Sequence, residues 1–291
     1  MPERVWGFKS PLAHNTDPCR RLKVSDHSRP TAAKPAGLAA KYGQQFADAA
    51  VVENYRFRPA YPPELFDMLT SLAVGDRSSV LEVGCGTGDL TFGLAGRFDR
   101  VRAIDPSEAM ISEARRRDID ARISWSLDTM ETVAINERFD LVVAAESLHW
   151  TEWATTLPAI AASLAEGGVL AIIERATETP RWQRDLLAII GRYSTNRDYR
   201  PYELVQELED RALFRPHGSW HSPLHELSQP VDDYVASFYS RNGLSPERLD
   251  PGAKARFADE LHVLLRAHDQ VPAVNLCVGA TMSWGSPAPR S

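Results

Sequence analysis

Cysteine is scarce: Cys19, Cys85 and Cys277 are the three in a chain of 291 residues. They are too few and too scattered for a disulfide framework, so a reducing, cytoplasmic setting is expected. Long hydrophobic runs are missing as well. No uninterrupted apolar stretch approaches the ~18–20 residues of a membrane span, so no membrane partner is expected. The N-terminus lacks the apolar segment of ~7–15 residues that a secretory signal needs. There is no internal repeat. Basic charge is short everywhere but at the start. Residues 1–41 carry eight Lys/Arg against three Asp/Glu (+5), and the rest carries 25 against 36 (−11). An acidic body repels a phosphate backbone, which argues against nucleic acid as a partner.

What is present supports one large domain or two small ones, with 43% hydrophobic residues available for a core. Residues 1–38 mix Pro, Ser, His and basic side chains without sustained periodicity, the composition of a disordered basic leader. An organellar transit peptide or a misassigned start codon would look the same. Order is expected from about Ala39.

At 80–90 the chain reads Val-Leu-Glu-Val-Gly-Cys-Gly-Thr-Gly-Asp-Leu. A short apolar run enters a glycine-dense turn, and a helical pattern through Leu90, Phe92, Leu94 and Ala95 follows. Strand, tight loop and helix start together bring bare backbone N–H groups against a ligand. Glycine serves there because a side chain would block the ligand or forbid positive φ. The dinucleotide fingerprint wants glycine where Asp89 stands, and a Walker loop wants a lysine that is missing. What remains is Glu-x-Gly-x-Gly-x-Gly, read as Glu82, Gly84, Gly86 and Gly88; an acid beside the turn suits a cationic ligand. The second strand, 100–105, ends in Asp105, 21 residues after Gly84. A carboxylate at that place can accept the hydroxyls of a ribose. It also suits the start of the helix opening at Pro106-Ser107-Glu108.

The glycine motif with its terminal acid resembles the first motif of class I S-adenosylmethionine-dependent methyltransferases of the small-molecule type, a likeness specific over about 40–175. It implies an α/β fold: a doubly wound, seven-stranded, mostly parallel sheet with a helical cap insertion. The core would span 39–177, with cap and closing strands at 178–291 in the same domain. It implies S-adenosylmethionine as cofactor, its methionine end on Gly84, Gly86 and Gly88, its ammonium oriented by Glu82 and its ribose held by Asp105. Relatives often carry Gly-Asp-Ala-Glu after the third strand (123–127), along the adenine edge; Thr129 and Met130 occupy the middle places, a departure. Tyr55, Arg58 and Tyr61 match a Tyr-x-x-Arg-Pro-like stretch that folds over the cofactor in such enzymes, or they merely pin the connector.

The fourth strand, 139–145, runs into Glu146-Ser147-Leu148-His149-Trp150. Chemistry collects at the carboxyl ends of strands in such sheets. The run lacks the Asn/Asp-Pro-Pro-Tyr/Phe of methyltransferases that grip nucleobase or amide nitrogens, and it is similar to a run in small-molecule methyltransferases. His149 and Glu146 are the acid–base candidates, His149 equally a structural histidine. A helix at 157–164, a glycine stop at 166–168 and a fifth strand at 169–174 follow. Helical patterns at 182–193, 202–208, 230–239 and 255–267 fit the cap, and 274–284 a closing strand. His217, His221 and His225 have metal-ligand spacing for a helix, but Pro216, Gly218 and Pro223 favour strands with surface histidines and no metal. The expected activity is methyl transfer to a small-molecule acceptor. The alternatives are a cyclase-like enzyme that binds the same cofactor without methylating, a nicotinamide oxidoreductase, and a vestigial pocket. Acceptor and oligomeric state stay open.

Overall fold

Apolar runs bounded by turn residues make the strands of this computed structural model, which describes residues 34–73, 78–119 and 121–289. β1 (Ser79–Val83), β2 (Arg100–Asp105), β3 (Ile123–Leu127), β4 (Phe139–Ala145) and β5 (Leu164–Thr177) run parallel in the order 3-2-1-4-5. β6 (Phe214–His221) and β7 (His225–Pro230) both pair antiparallel with β8 (Ala273–Pro287), which itself runs antiparallel to β5. β6 covers the second half of β8 and β7 the first half, so eight strands fill seven positions of a mostly parallel sheet. The break between them follows from Pro223 and a register shift at Pro216/Gly218, where Gly218 lets the Trp284 ring approach. His217, His221 and His225 lie on these strands and not on a helix.

Successive side chains of a strand point to opposite faces. Val80, Leu141, Val143, Ala171 and Ile173 therefore face Leu65, Phe66, Leu69 and Leu94 on one side. Leu81, Val83, Val142, Ala144 and Ile172 face Trp153, Leu157 and Ile160 on the other. Helices on both faces explain why the parallel strands read as continuous apolar runs, β1 being buried throughout. A third cluster, with Trp182, Leu186, Tyr234, Phe238, Phe257 and Leu261, is the core of the cap helices Gln183–Tyr193, Val231–Phe238 and Pro251–Ala267.

Two local expectations are corrected. The helix before β5 is Trp153–Ser163, and the glycines at 167 and 168 lie within β5 instead of stopping that helix. They make the register irregularity against β4 at Phe139/Leu141, where Gly167 takes φ +79. The leader reading lies outside the described residues up to position 33. Its last residues belong to the body: Leu38 is buried, and Lys34 Nζ donates to the Thr151 carbonyl at 2.8 Å. Among the described residues no helix is long and apolar enough to cross a membrane.

Candidate functional site

Strand order reverses between β1 and β4, and the carboxyl ends of these strands open the crevice in which such sheets bind ligands. The glycine loop sits there. Gly84 and Cys85 donate their N–H groups to the Ile104 carbonyl at 2.8 and 3.0 Å, tying the loop to β2. Gly84 takes φ +72, and a Cβ on it would lie 2.4 Å from Ser147 Cβ. Gly86 takes φ +55 with the Tyr55 ring above it. Loop, strand-four end and N-terminal connector thus meet over two residues that must lack side chains.

Two buried carboxyls flank the loop. Glu82, 2% exposed, accepts a hydrogen bond from Thr91 Oγ1 at 2.5 Å. Burial pushes its pKa up to about 8, with the Thr91 bond opposing and Asp89 and Asp105 adding to the rise. Asp105, 8% exposed, accepts from Gly86 N through Oδ2 and from Ser107 N through Oδ1, both at 2.9 Å. Burial pushes the Asp105 carboxyl up while these two amides hold it down. Ser107, not Asp105, caps the helix Glu108–Arg117, accepting from Met110 N. Asp105 therefore fastens the loop to the end of β2, and each of its oxygens keeps a second acceptor site.

Thr129 and Met130 part company. Thr129 is half-buried, its hydroxyl 2.9 Å from Thr132 Oγ1 and its N–H bonded to Asp128 Oδ1 at 2.9 Å. Met130 is buried in the second core cluster, to which Ile104 and Leu81 also belong. Asp128 N donates to the Asp105 carbonyl at 3.1 Å, which sets Asp128 next to the β2 terminus.

At the end of β4, Glu146 takes φ +52, unusual for a residue with a side chain. Its carboxylate accepts from Arg175 N at 3.0 Å and Arg175 Nη1 at 3.1 Å, and Arg58 Nη1 lies 3.5 Å away. Burial pushes the Glu146 carboxyl up, but Arg175 and then Arg58 outweigh it and hold its pKa at about 2. Arg58 stacks on Tyr55, 4.0 Å from the ring centroid, and donates through Nε to Ser240 Oγ at 2.9 Å. Arg175 stacks on Tyr61 at 4.1 Å, donates to the Pro59 carbonyl at 2.8 Å, and lies 3.6 Å from Asp89. Tyr55, Arg58, Glu146, Arg175 and Tyr61 thus form one connected cluster, with the Tyr55 ring against Gly86. His149, half-buried, sets its ring edge-on to Trp150 at 4.7 Å, and Trp150 packs on Phe46 at 5.5 Å.

Arg175 and Ser240 belong to this cluster and are not among the site residues legible from motifs. An arginine following the apolar run of β5 is a signal for Arg175; nothing local marks Ser240, which Arg58 reaches across 182 residues of chain. Arg117 is the last residue of the helix Glu108–Arg117. It reaches back to the Thr87 carbonyl at 2.9 Å and to Asp89 at 3.0 Å, buttressing the glycine loop.

Residues 80–168, from inside β1 to the irregularity of β5, match a family described as a methyltransferase domain. An uncharacterized methyltransferase of Mycobacterium tuberculosis is 35% identical over 250 residues, which cover 81% of this chain and 95% of that one. A probable S-adenosylmethionine-dependent methyltransferase of Saccharomyces cerevisiae is 32% identical over 220 residues, 72% of this chain and 71% of its own. Among solved structures, a candidate type II methyltransferase from Anaeromyxobacter dehalogenans superposes with a TM-score of 0.57 at 26% identity, over 80% of this chain and 99% of that one. Likeness of this extent, on a sheet in this order and with the glycine loop at its head, makes the chain a member of the class I S-adenosylmethionine-dependent methyltransferases.

Proposed function

We propose that this protein transfers a methyl group from S-adenosylmethionine to a small-molecule acceptor in the crevice between the glycine loop and the cap. The observation that carries the reading is the pair of buried carboxyls that flank that loop. Burial raises the Glu82 pKa to about 8, and the Thr91 bond and Arg175 offset only part of that rise. An ammonium nearby, direct or through water, would return it to the carboxylate. Asp105, tied to Gly86 and Ser107, has acceptor sites left for two ribose hydroxyls. Gly84, Gly86 and Gly88 leave room for the methionine end, Thr129 borders the adenine, and Met130 shapes that wall from behind. Tyr55 and Arg58 close the roof.

The bound cofactor supplies a methyl carbon already activated by a positively charged sulfur. The chain's own work is to hold an acceptor lone pair in line and to exclude water; such positioning can supply ~7–11 kcal/mol. A carboxylate with a pKa of about 2 is almost no base near neutrality, so Glu146 leaves the acid–base role and serves to position Arg58 and Arg175. His149 is the remaining candidate. A small acceptor agrees with the acidic body, and with a trans-aconitate 2-methyltransferase of Variovorax paradoxus that is 35% identical over 123 residues, 41% of this chain. Titration calorimetry with S-adenosylhomocysteine tests the reading. Saturable binding at one site is expected, and absence of heat together with no thermal shift removes it.

A further inference from the structure

The helix Glu108–Arg117 meets the glycine loop at both of its ends. At its start, the cap residue Ser107 shares Asp105 with the loop, Ser107 N and Gly86 N each donating to that carboxylate at 2.9 Å. At its close, Arg117 reaches the residues that follow Gly86. Its Nη1 donates to the Thr87 carbonyl at 2.9 Å and to Asp89 Oδ1 at 3.0 Å, and its guanidinium lies 5.0 Å from the Phe92 ring centroid. Thr87 Oγ1 donates to the same Asp89 oxygen at 3.1 Å, and Arg175 Nη2 lies 3.6 Å from the other. Asp89 thus stands between two arginines from different elements, and Arg175 in turn holds Glu146 at the end of β4. Positive and negative groups alternate from Arg117 through Asp89, Arg175 and Glu146 to Arg58. A connected network of this kind fixes its members relative to one another.

We propose that Arg117, through the Thr87 carbonyl and Asp89, is a positioning residue for the methionine half of the cofactor. The inference rests on the methyltransferase reading and deepens it at the same site. The two tie points divide the loop. Asp105 secures Gly86 on the ribose side, and Arg117 secures Thr87 and Asp89, which flank Gly88 on the methionine side. The Arg117 side chain is 38% exposed, so its ion pair adds little to global stability. Its bond to a backbone carbonyl nonetheless sets where the loop lies. Committed to Arg117 and Arg175, Asp89 acts on the ligand through the loop.

The test is calorimetry on the full chain with S-adenosylhomocysteine and with methylthioadenosine, a thionucleoside that keeps adenine, ribose and sulfur but lacks the amino-acid end. Arg117→Met keeps the apolar stem and removes every donor. It is expected to weaken S-adenosylhomocysteine by about fivefold or more and to leave the thionucleoside within about twofold, the scale for a residue that acts on a ligand through its neighbours. The melting temperature should move by no more than about 4 °C, as for a partly exposed ion pair. Asp89→Asn should weaken S-adenosylhomocysteine as well, and the double variant should lose less than the product of the two single losses, because both act through one bond. The inference is overturned if Arg117→Met keeps its affinity for S-adenosylhomocysteine, if both ligands weaken equally, or if the single losses multiply. Should Arg117→Met fail to fold, Arg117→Lys, which keeps the charge without the paired donors, takes its place in the same comparisons. Should the thionucleoside bind the parent chain too weakly to measure, the double-variant comparison decides. A parent chain that fails to bind S-adenosylhomocysteine fails the methyltransferase reading, a different result from these.

Discussion

Glu82 and Glu146 stand near the carboxyl ends of neighbouring strands, and their pKa values are displaced in opposite directions. Glu82 is raised to about 8 by burial, so the folded state keeps a proton that the unfolded chain has released. Its stabilising contribution is complete below the ordinary carboxyl pKa and is lost as pH rises through about 8. Glu82→Gln should therefore flatten the decline of the melting temperature between about pH 5 and 8, read by calorimetric scans across that range. Glu146, held at about 2, contributes above the ordinary carboxyl pKa and loses its contribution as pH falls through about 2. Glu146→Gln at neutral pH leaves two buried arginines short of an anion, at a cost of roughly 3–5 kcal/mol in a urea titration. Were Glu146 a solvated base, the same change would barely move stability. Asp105→Ala removes bonds to a charged acceptor worth ~1.5–3 kcal/mol each. Affinity for S-adenosylhomocysteine should fall by about 10–100-fold or more by calorimetry, each ~1.4 kcal/mol being tenfold.

At the scale of an element, the glycine loop and its strands were the most legible part of the chain. Continuous apolar runs mark strands buried on both faces, and four glycine-or-acid positions in one turn have few alternative explanations. Gly84→Ala puts a Cβ 2.4 Å from Ser147 Cβ at φ +72. The left-handed backbone alone costs about 1–2 kcal/mol. The clash moves the end of β4, so both the melting temperature and cofactor affinity should drop. Elements whose ends depend on a partner were less legible. β5 runs on to Thr177 because β8 continues to pair with it as far as Val278. Its glycine pair resembled a helix stop because a positive-φ glycine looks the same in a bulge as in a helix cap.

Across the whole molecule, the N-terminal segment works as a strap bound to the cap. Asp48 accepts from Ser245 Oγ and from Arg248 Nε, each at 2.6 Å. Gln45 accepts from Gly243 N at 2.8 Å, and Asn242 donates to the Tyr42 carbonyl at 2.7 Å. Gln229 donates to the Phe57 carbonyl at 2.8 Å. Through Tyr55, which lies against Gly86, the strap reaches the loop while these other bonds tie it to the cap. Asp48→Ala should cost only about 1 kcal/mol globally, since its arginine partner is partly solvated. It should nonetheless speed limited proteolysis between about 40 and 60 and weaken S-adenosylhomocysteine binding. Unchanged cleavage and affinity would show that the strap holds without that tie.

The sequence by itself determined the sheet's parallel core, the loop at its head and the acid at the end of β2. Each is written in a few consecutive residues whose apolar pattern or backbone requirement is local. Only the tertiary structure decided that Glu146 pairs with Arg58 and Arg175, that Met130 is core, and that Arg58 also reaches Ser240. Those properties arise from burial and from groups brought together across 182 residues of chain, from Arg58 to Ser240. No local pattern encodes a distance of that kind.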